Sequence, residues 1–159
     1  MGRSDGVLIL ALVGALAAGG CLSSAPVPGG GGEAAPETLG SMTLTSELLG
    51  NATLAPASCS SGAREYFLGG DFEDEKAGMV IRLAVDPVTG PAVRVFDPAE
   101  PFRRTVVFRQ ADCPVFHFSL DSTGWRVNKV EDFRLVIDVD CVGPAGDRLR
   151  GRVSSTHCF

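Results

Sequence analysis

Signatures of catalysis and of nucleic-acid binding are scarce in this chain. It has two histidines, one tryptophan and one tyrosine in 159 residues. Ser60, Ser61 and the 154–156 run have no G-x-S-x-G setting, and H-E-x-x-H is absent, so neither a nucleophile elbow nor a zinc-protease helix is expected. The cysteines are widely spaced with no C-x-x-C pair, which argues against a structural zinc site. Basic residues are outnumbered, 14 Lys and Arg against 19 Asp and Glu, for a net charge of -5. A chain with no basic excess cannot neutralise a phosphate backbone, which excludes nucleic acid as an expected partner. No apolar run approaches the roughly 20 residues that cross a bilayer as a helix.

What the chain does have is a charge-free apolar run, Val7 to Ala18, followed by Gly19, Gly20 and Cys21. The run is too short to span and fits the h-region of a secretory signal. Ala18, Gly19, Gly20 and Cys21 resemble the lipobox of bacterial lipoproteins, with Ala18 where that family usually has Leu. The resemblance implies cleavage before Cys21 and lipidation of that cysteine. It also implies stable anchoring by several acyl chains. With Leu22 and Ser23 rather than an acidic residue next, the resemblance implies the outer membrane.

An ordinary secretory signal cut after Ala17 is the alternative, and cysteine parity weighs against it. The chain has five cysteines, Cys21, Cys59, Cys113, Cys141 and Cys158. If Cys21 carries lipid, four remain for two disulfides; if not, one thiol is left over in an oxidising compartment. The expected organisation is a signal peptide over 1–20, a lipidated N-terminus and tether over 21–40, and a folded domain over 41–159. The tether is rich in Ser, Pro, Gly and Ala and cannot bury enough apolar surface to fold. Gly29 to Gly32 is not followed by Lys-Ser or Lys-Thr, so it is not a phosphate loop.

Residues 41–58 admit two readings. Met42 and Leu44 alternate with Thr43 and Thr45 as in a first strand, whereas 46–50 fits one helical turn closed by Gly50. Asn51-Ala52-Thr53 reads as a turn. From Cys59 onward, alternation broken by turn residues indicates an all-β antiparallel sandwich or partly open barrel. Strands are expected at 79–85, 92–96, from Phe102 or Thr105 to Gln110, at 115–120 and at 125–130. Turns are expected at Asp86-Pro87-Val88-Thr89-Gly90 and Asp121-Ser122-Thr123-Gly124. Phe116, Phe118 and Leu120 share one strand face.

The last hairpin specifies its own register. Phe133, Leu135, Ile137, Val139 and Cys141 share a face, and Pro144 to Gly146 suits a three-residue loop with Gly146 left-handed. That loop sets Cys141 against Leu149, Val139 against Gly151, Ile137 against Val153 and Phe133 against His157. On the other face it sets Asp138 against Arg152 and Asp140 against Arg150. A slip of one residue would destroy both agreements. The same register turns Cys158 away from the core face, which disfavours a Cys141–Cys158 bridge. Of the two remaining connectivities, Cys113–Cys141 with Cys59–Cys158 is preferred.

Two clusters merit weighing. No ligand spacing supports a metal shared by His117 and His157 with Asp138 or Asp140. Asp71 to Glu75 is the densest acidic run and could hold calcium as a Gly-flanked loop; a solvated loop is the simpler expectation. Trp125 and Tyr66 suit either core or contact roles. No cofactor or catalytic residue is assigned. The layout resembles small envelope lipoproteins of Gram-negative bacteria with GC-rich genomes, including those of myxobacterial envelope and motility systems. The expected function is therefore non-catalytic: an anchored β-domain contacting a protein or polysaccharide, with a ligand- or calcium-binding domain as the alternative.

Overall fold

A computed structural model describes residues 37–159. The expected signal peptide, Cys21 and most of the tether lie outside the described residues. Ten strands follow one another: β1 (Thr38–Ser46), β2 (Gly50–Leu54), β3 (Ser58–Ser61), β4 (Leu68–Asp74), β5 (Met79–Asp86), β6 (Gly90–Phe96), β7 (Thr105–Arg109), β8 (Val115–Val127), β9 (Val130–Val142) and β10 (Arg148–Cys158). They form two five-stranded antiparallel sheets, ordered β2-β1-β10-β9-β8 and β3-β4-β5-β6-β7. The chain is thus a β-sandwich. Its strands run as an up-and-down ring, closed at the ends by β1 against β10 and open at two seams, β2/β3 and β7/β8.

Period-two alternation drives this arrangement. Each strand turns one apolar row inward, and Phe72, Phe108, Leu44, Ile81, Leu135 and Ile137 are all fully buried between the sheets. Side chains fill the space that an open barrel would leave for a ligand. At the β1–β10 closure, Gly40 and Gly151 have φ of +94° and +136°, and a Cβ on either would collide with backbone of the opposite strand. Only glycine permits that approach.

The last hairpin has the expected register, including Cys141 opposite Leu149 and Asp138 opposite Arg152. Gly146 is left-handed at φ +87°, and Gly143 N–H donates to Asp147 O at 2.8 Å to close the loop. The ion pairs on the outer face are long and exposed, 3.6 Å for Arg150–Asp140 and 3.8 Å for Arg152–Asp138. Such pairs are worth at most about 1 kcal/mol, so the apolar face sets the register.

One part of that register is corrected. A bulge between Ser155 and Cys158 places Cys158, not His157, opposite Phe133. The extra residue rotates Cys158 to the core face, where it is buried and bonded to Cys59. Asp132, itself buried, holds the bulge: its Oδ1 accepts from Cys158 N–H at 2.9 Å, and its Oδ2 lies 2.7 Å from His157 Nδ1. The second bridge joins Cys113 to Cys141. The two bonds brace the two seams. Cys59 on β3 is tied across to β10, and Cys113, on the β7–β8 crossover, is pinned to β9.

Other expectations change. β1 starts at Thr38 rather than at 41, and Asn51 to Thr53 lie in β2 rather than in a turn. The 46–50 segment is a tight turn whose Ser46 Oγ accepts from Leu48 N–H and Leu49 N–H, both at 3.1 Å. The 121–124 segment is not a turn either. β8 runs through it with a register irregularity between Ser122 and Arg126, and the chain reverses at Asn128 and Lys129, both with positive φ. The 86–90 turn is as expected. Asp86 accepts from Thr89 N–H at 2.7 Å and Val88 N–H at 2.8 Å, and these donors hold its carboxyl below the ordinary value.

The enclosed loops rank the bridges. Cys59–Cys158 spans 99 residues and Cys113–Cys141 spans 28. Loop-closure entropy assigns them about 5 and about 3.5 kcal/mol. Urea denaturation of C59A/C158A should show the larger loss of stability, and the reverse order would contradict this assignment.

Candidate functional site

The outer face of the second sheet carries a concavity. Outward rows of β4, β5 and β6 form its floor, and the 97–104 loop forms one wall. The result is an open groove of about 550 Å³ lined by Arg82, Arg94, Phe96, Phe102, Glu73 and Glu75, among others.

Arg82 organises the floor. Its Nε donates to Asp71 Oδ1 at 2.8 Å, and its Nη2 donates to Asp71 Oδ2 and Glu65 Oε2, both at 2.6 Å. The fork meets Asp71 in bidentate fashion, the stronger form of this contact. The guanidinium also lies 4.5 Å from the Phe67 ring centroid and 5.3 Å from that of Phe96, within cation–π range of both faces. Burial pushes the Asp71 carboxyl above its ordinary value against the pull of Arg82, and Asp71 in turn raises the Arg82 guanidinium. Arg82 is therefore a pre-set structural cation with its charge already answered.

Arg94 differs. It lies directly across from Arg82 on β6 and is exposed. Among the described residues no carboxylate lies within ion-pair distance of it. Phe102, which lines the same groove, is 98 % exposed although its loop is tightly built. Arg104 Nη1 donates to Asp97 Oδ2 at 2.7 Å, and the backbone closes with Asp97 N–H to Arg104 O at 3.1 Å and Arg104 N–H to Glu100 O at 2.9 Å. An ordered loop that presents a bare aromatic ring has contact geometry rather than core geometry.

The acidic run is corrected by this arrangement. Residues 71–74 belong to strand β4, not to a solvated loop. Asp71 and Asp74 are buried, with Asp71 answered by Arg82. Asp74 accepts from Ala55 N–H at 2.6 Å and from Lys76 N–H and Ala77 N–H at 3.0 Å. Their oxygens are already used by protein donors, which leaves Glu73 and Glu75 facing the groove. Among the described residues no group of three His, Cys, Asp or Glu side chains is placed to hold a metal ion.

The histidines are apart. His117 is opposite Asp138 on the outer face of the first sheet, whereas His157 meets Asp132 at the bulge. Five strand residues, roughly 17 Å, separate the two in register. Asp132 also accepts from Thr123 Oγ1 at 2.7 Å, and Ser155 Oγ donates to the His157 carbonyl at 2.8 Å rather than facing its ring. At the bulge, then, Asp132 serves His157, Thr123 and the Cys158 backbone together. Tyr66 and Trp125 are both outside the core, 99 % and 72 % exposed.

The groove was hidden in the sequence because its parts come from four separate segments. Its one local sign was Pro98 and Pro101 bracketing the approach to Phe102. No protein-family model, curated protein or solved structure matches this chain.

Removing Arg82 should expose how the floor is balanced. In Arg82→Met, a mostly buried Asp71 carboxylate loses its main partner, at a cost of roughly 3 kcal/mol near neutral pH. Arg82 pulls the Asp71 pKa down against the burial that raises it, so the variant's Asp71 pKa lies higher still. The deficit should therefore be full where Asp71 is ionised in both proteins and shrink as pH falls through the variant's raised Asp71 pKa toward the ordinary carboxylate range. Urea denaturation against pH checks this; a pH-independent deficit would contradict it.

Proposed function

We propose that this protein is a lipid-anchored envelope module whose β-sandwich head binds a partner without catalysis, through the groove on the second sheet. The observation that carries the anchoring half is the cysteine arrangement: Cys59, Cys113, Cys141 and Cys158 pair among themselves. Cys21 is the one cysteine outside these pairs, and it stands directly after the apolar run. Disulfides in a small domain also suit an oxidising compartment.

The binding half rests on the Phe102 wall and Arg94. An exposed ring held by a closed loop, and a cation with no carboxylate within ion-pair distance among the described residues, line the same groove as Glu73 and Glu75. That mixture of apolar, cationic and anionic groups fits a protein surface better than a uniformly hydroxylated polysaccharide. The calcium reading of 71–75 has less support, since Asp71 and Asp74 already serve protein donors.

Metabolic labelling with an alkynyl fatty acid tests the anchor. The wild-type chain should be labelled and sediment with membranes, and Cys21→Ser should be unlabelled and released with both disulfides intact. Equal labelling of the two would contradict the anchor. For the groove, a photo-crosslinking residue at position 102 should give a discrete adduct in intact envelopes. The same residue at Val88, 89 % exposed on the β5–β6 turn, should give none. Equal yields would remove the groove from the proposal.

A further inference from the structure

We infer that the free edge of β8 pairs with β8 of a second copy of this chain, antiparallel about a twofold axis at Ser119. The inference does not depend on the lipid anchor or on the groove. It begins with an anomaly among the sheet edges. Edge strands β2, β3 and β7 have five, four and five residues, but β8 has 13. Exposed edges are normally blunted by brevity, proline, lysine or bulges. β8 contains neither proline nor lysine, and its irregularity falls between Ser122 and Arg126. Val115 to Ser122 is therefore a regular, unprotected edge.

The side chains on this edge are self-complementary in one register. Antiparallel pairing about Ser119 sets Phe118 against the partner's Leu120 on the core side of the sheet. Phe118 is 38 % exposed, while Phe116 and Leu120 are half-buried at the border of the core. A second β8 would cover this uncovered border.

On the outer face the same axis sets His117 against the partner's Asp121. Within one chain, His117 is already opposite Asp138, Asp138 is opposite Arg152, and Asp121 is opposite Arg134. The joined sheet thus carries one row running Arg152, Asp138, His117, the partner's Asp121, the partner's Arg134. The pattern of opposed partners continues unbroken across the axis, and symmetry repeats the row in reverse. Moving the axis one residue, to Phe118, sets His117 against serine and Val115 against aspartate, which loses the match. A closed twofold arrangement of this kind also ends association at two copies.

Strand-to-strand contact alone is small, so the dimer should be weak in dilute solution and favoured where chains are concentrated on one surface.

The test uses the full chain with Cys21→Ser, so that an introduced cysteine is the one unpaired thiol. Ser119→Cys lies on the axis and should cross-link to itself under mild oxidation at concentrations where Val88→Cys does not. Sedimentation should show that His117→Asp raises the dimer dissociation constant about tenfold, because two like-charge pairs replace two matched ones. The exchange H117D/D121H matches the pairs across the axis again and should recover part of that loss, the new carboxylate at position 117 still facing its own Asp138. Cross-linking of Ser119→Cys no better than Val88→Cys, or no recovery in the exchanged variant, would overturn the proposal.

Discussion

The bond between Cys59 and Cys158 is the constraint on which the arrangement of this domain depends. The second sheet is a meander of local hairpins, and the first joins the β1–β2 and β8–β9–β10 hairpins through the long-range β1–β10 pair, but nothing in strand pairing ties one sheet to the other across the β2/β3 seam. The bridge from β3 to β10 does so, and β10 in turn pairs with β1. One covalent link therefore ties the head of the second sheet to the closing strands of the first. The bulge at the end of β10 exists in the service of this link: it turns Cys158 inward, and Asp132 satisfies the backbone that the bulge leaves unpaired.

With the seams braced and the core filled, the surfaces open to a partner are the outer faces. The two faces differ in character. The first sheet's is laced with charges that alternate across strands, a surface suited to solvent and to extension at its β8 edge. The second sheet's is concave, with Arg82 clamped between Phe67 and Phe96 and held by Asp71. That clamp stiffens the floor beneath Arg94 and Phe102, so the groups available for contact rest on a base whose own charges are already satisfied.

The parts of this structure legible in the sequence are those specified twice. The β9–β10 register was readable because its apolar and charged faces agree independently, and a glycine sits where the loop needs positive φ. What was illegible depended on partners distant in sequence. Asp71 and Asp74 look solvated when read locally; they are buried because Arg82 and the backbone of Ala55, Lys76 and Ala77 answer them. The 121–124 run has turn composition, yet the reversal falls on Asn128-Lys129, a weaker local signal. The bulge before Cys158 contains no glycine or proline to announce it, so strict alternation placed that cysteine on the wrong face, although the preferred one of the two open connectivities, with Cys59, is the one formed.

The central claim is that four cysteines brace the head in two defined pairs and leave Cys21 for the membrane. Mass spectrometry of the non-reduced, digested chain from envelopes tests it most directly. The account predicts peptides joining Cys59 to Cys158 and Cys113 to Cys141, together with an N-terminal peptide that begins at an acylated Cys21. A peptide joining Cys21 to any other cysteine of the chain would contradict it.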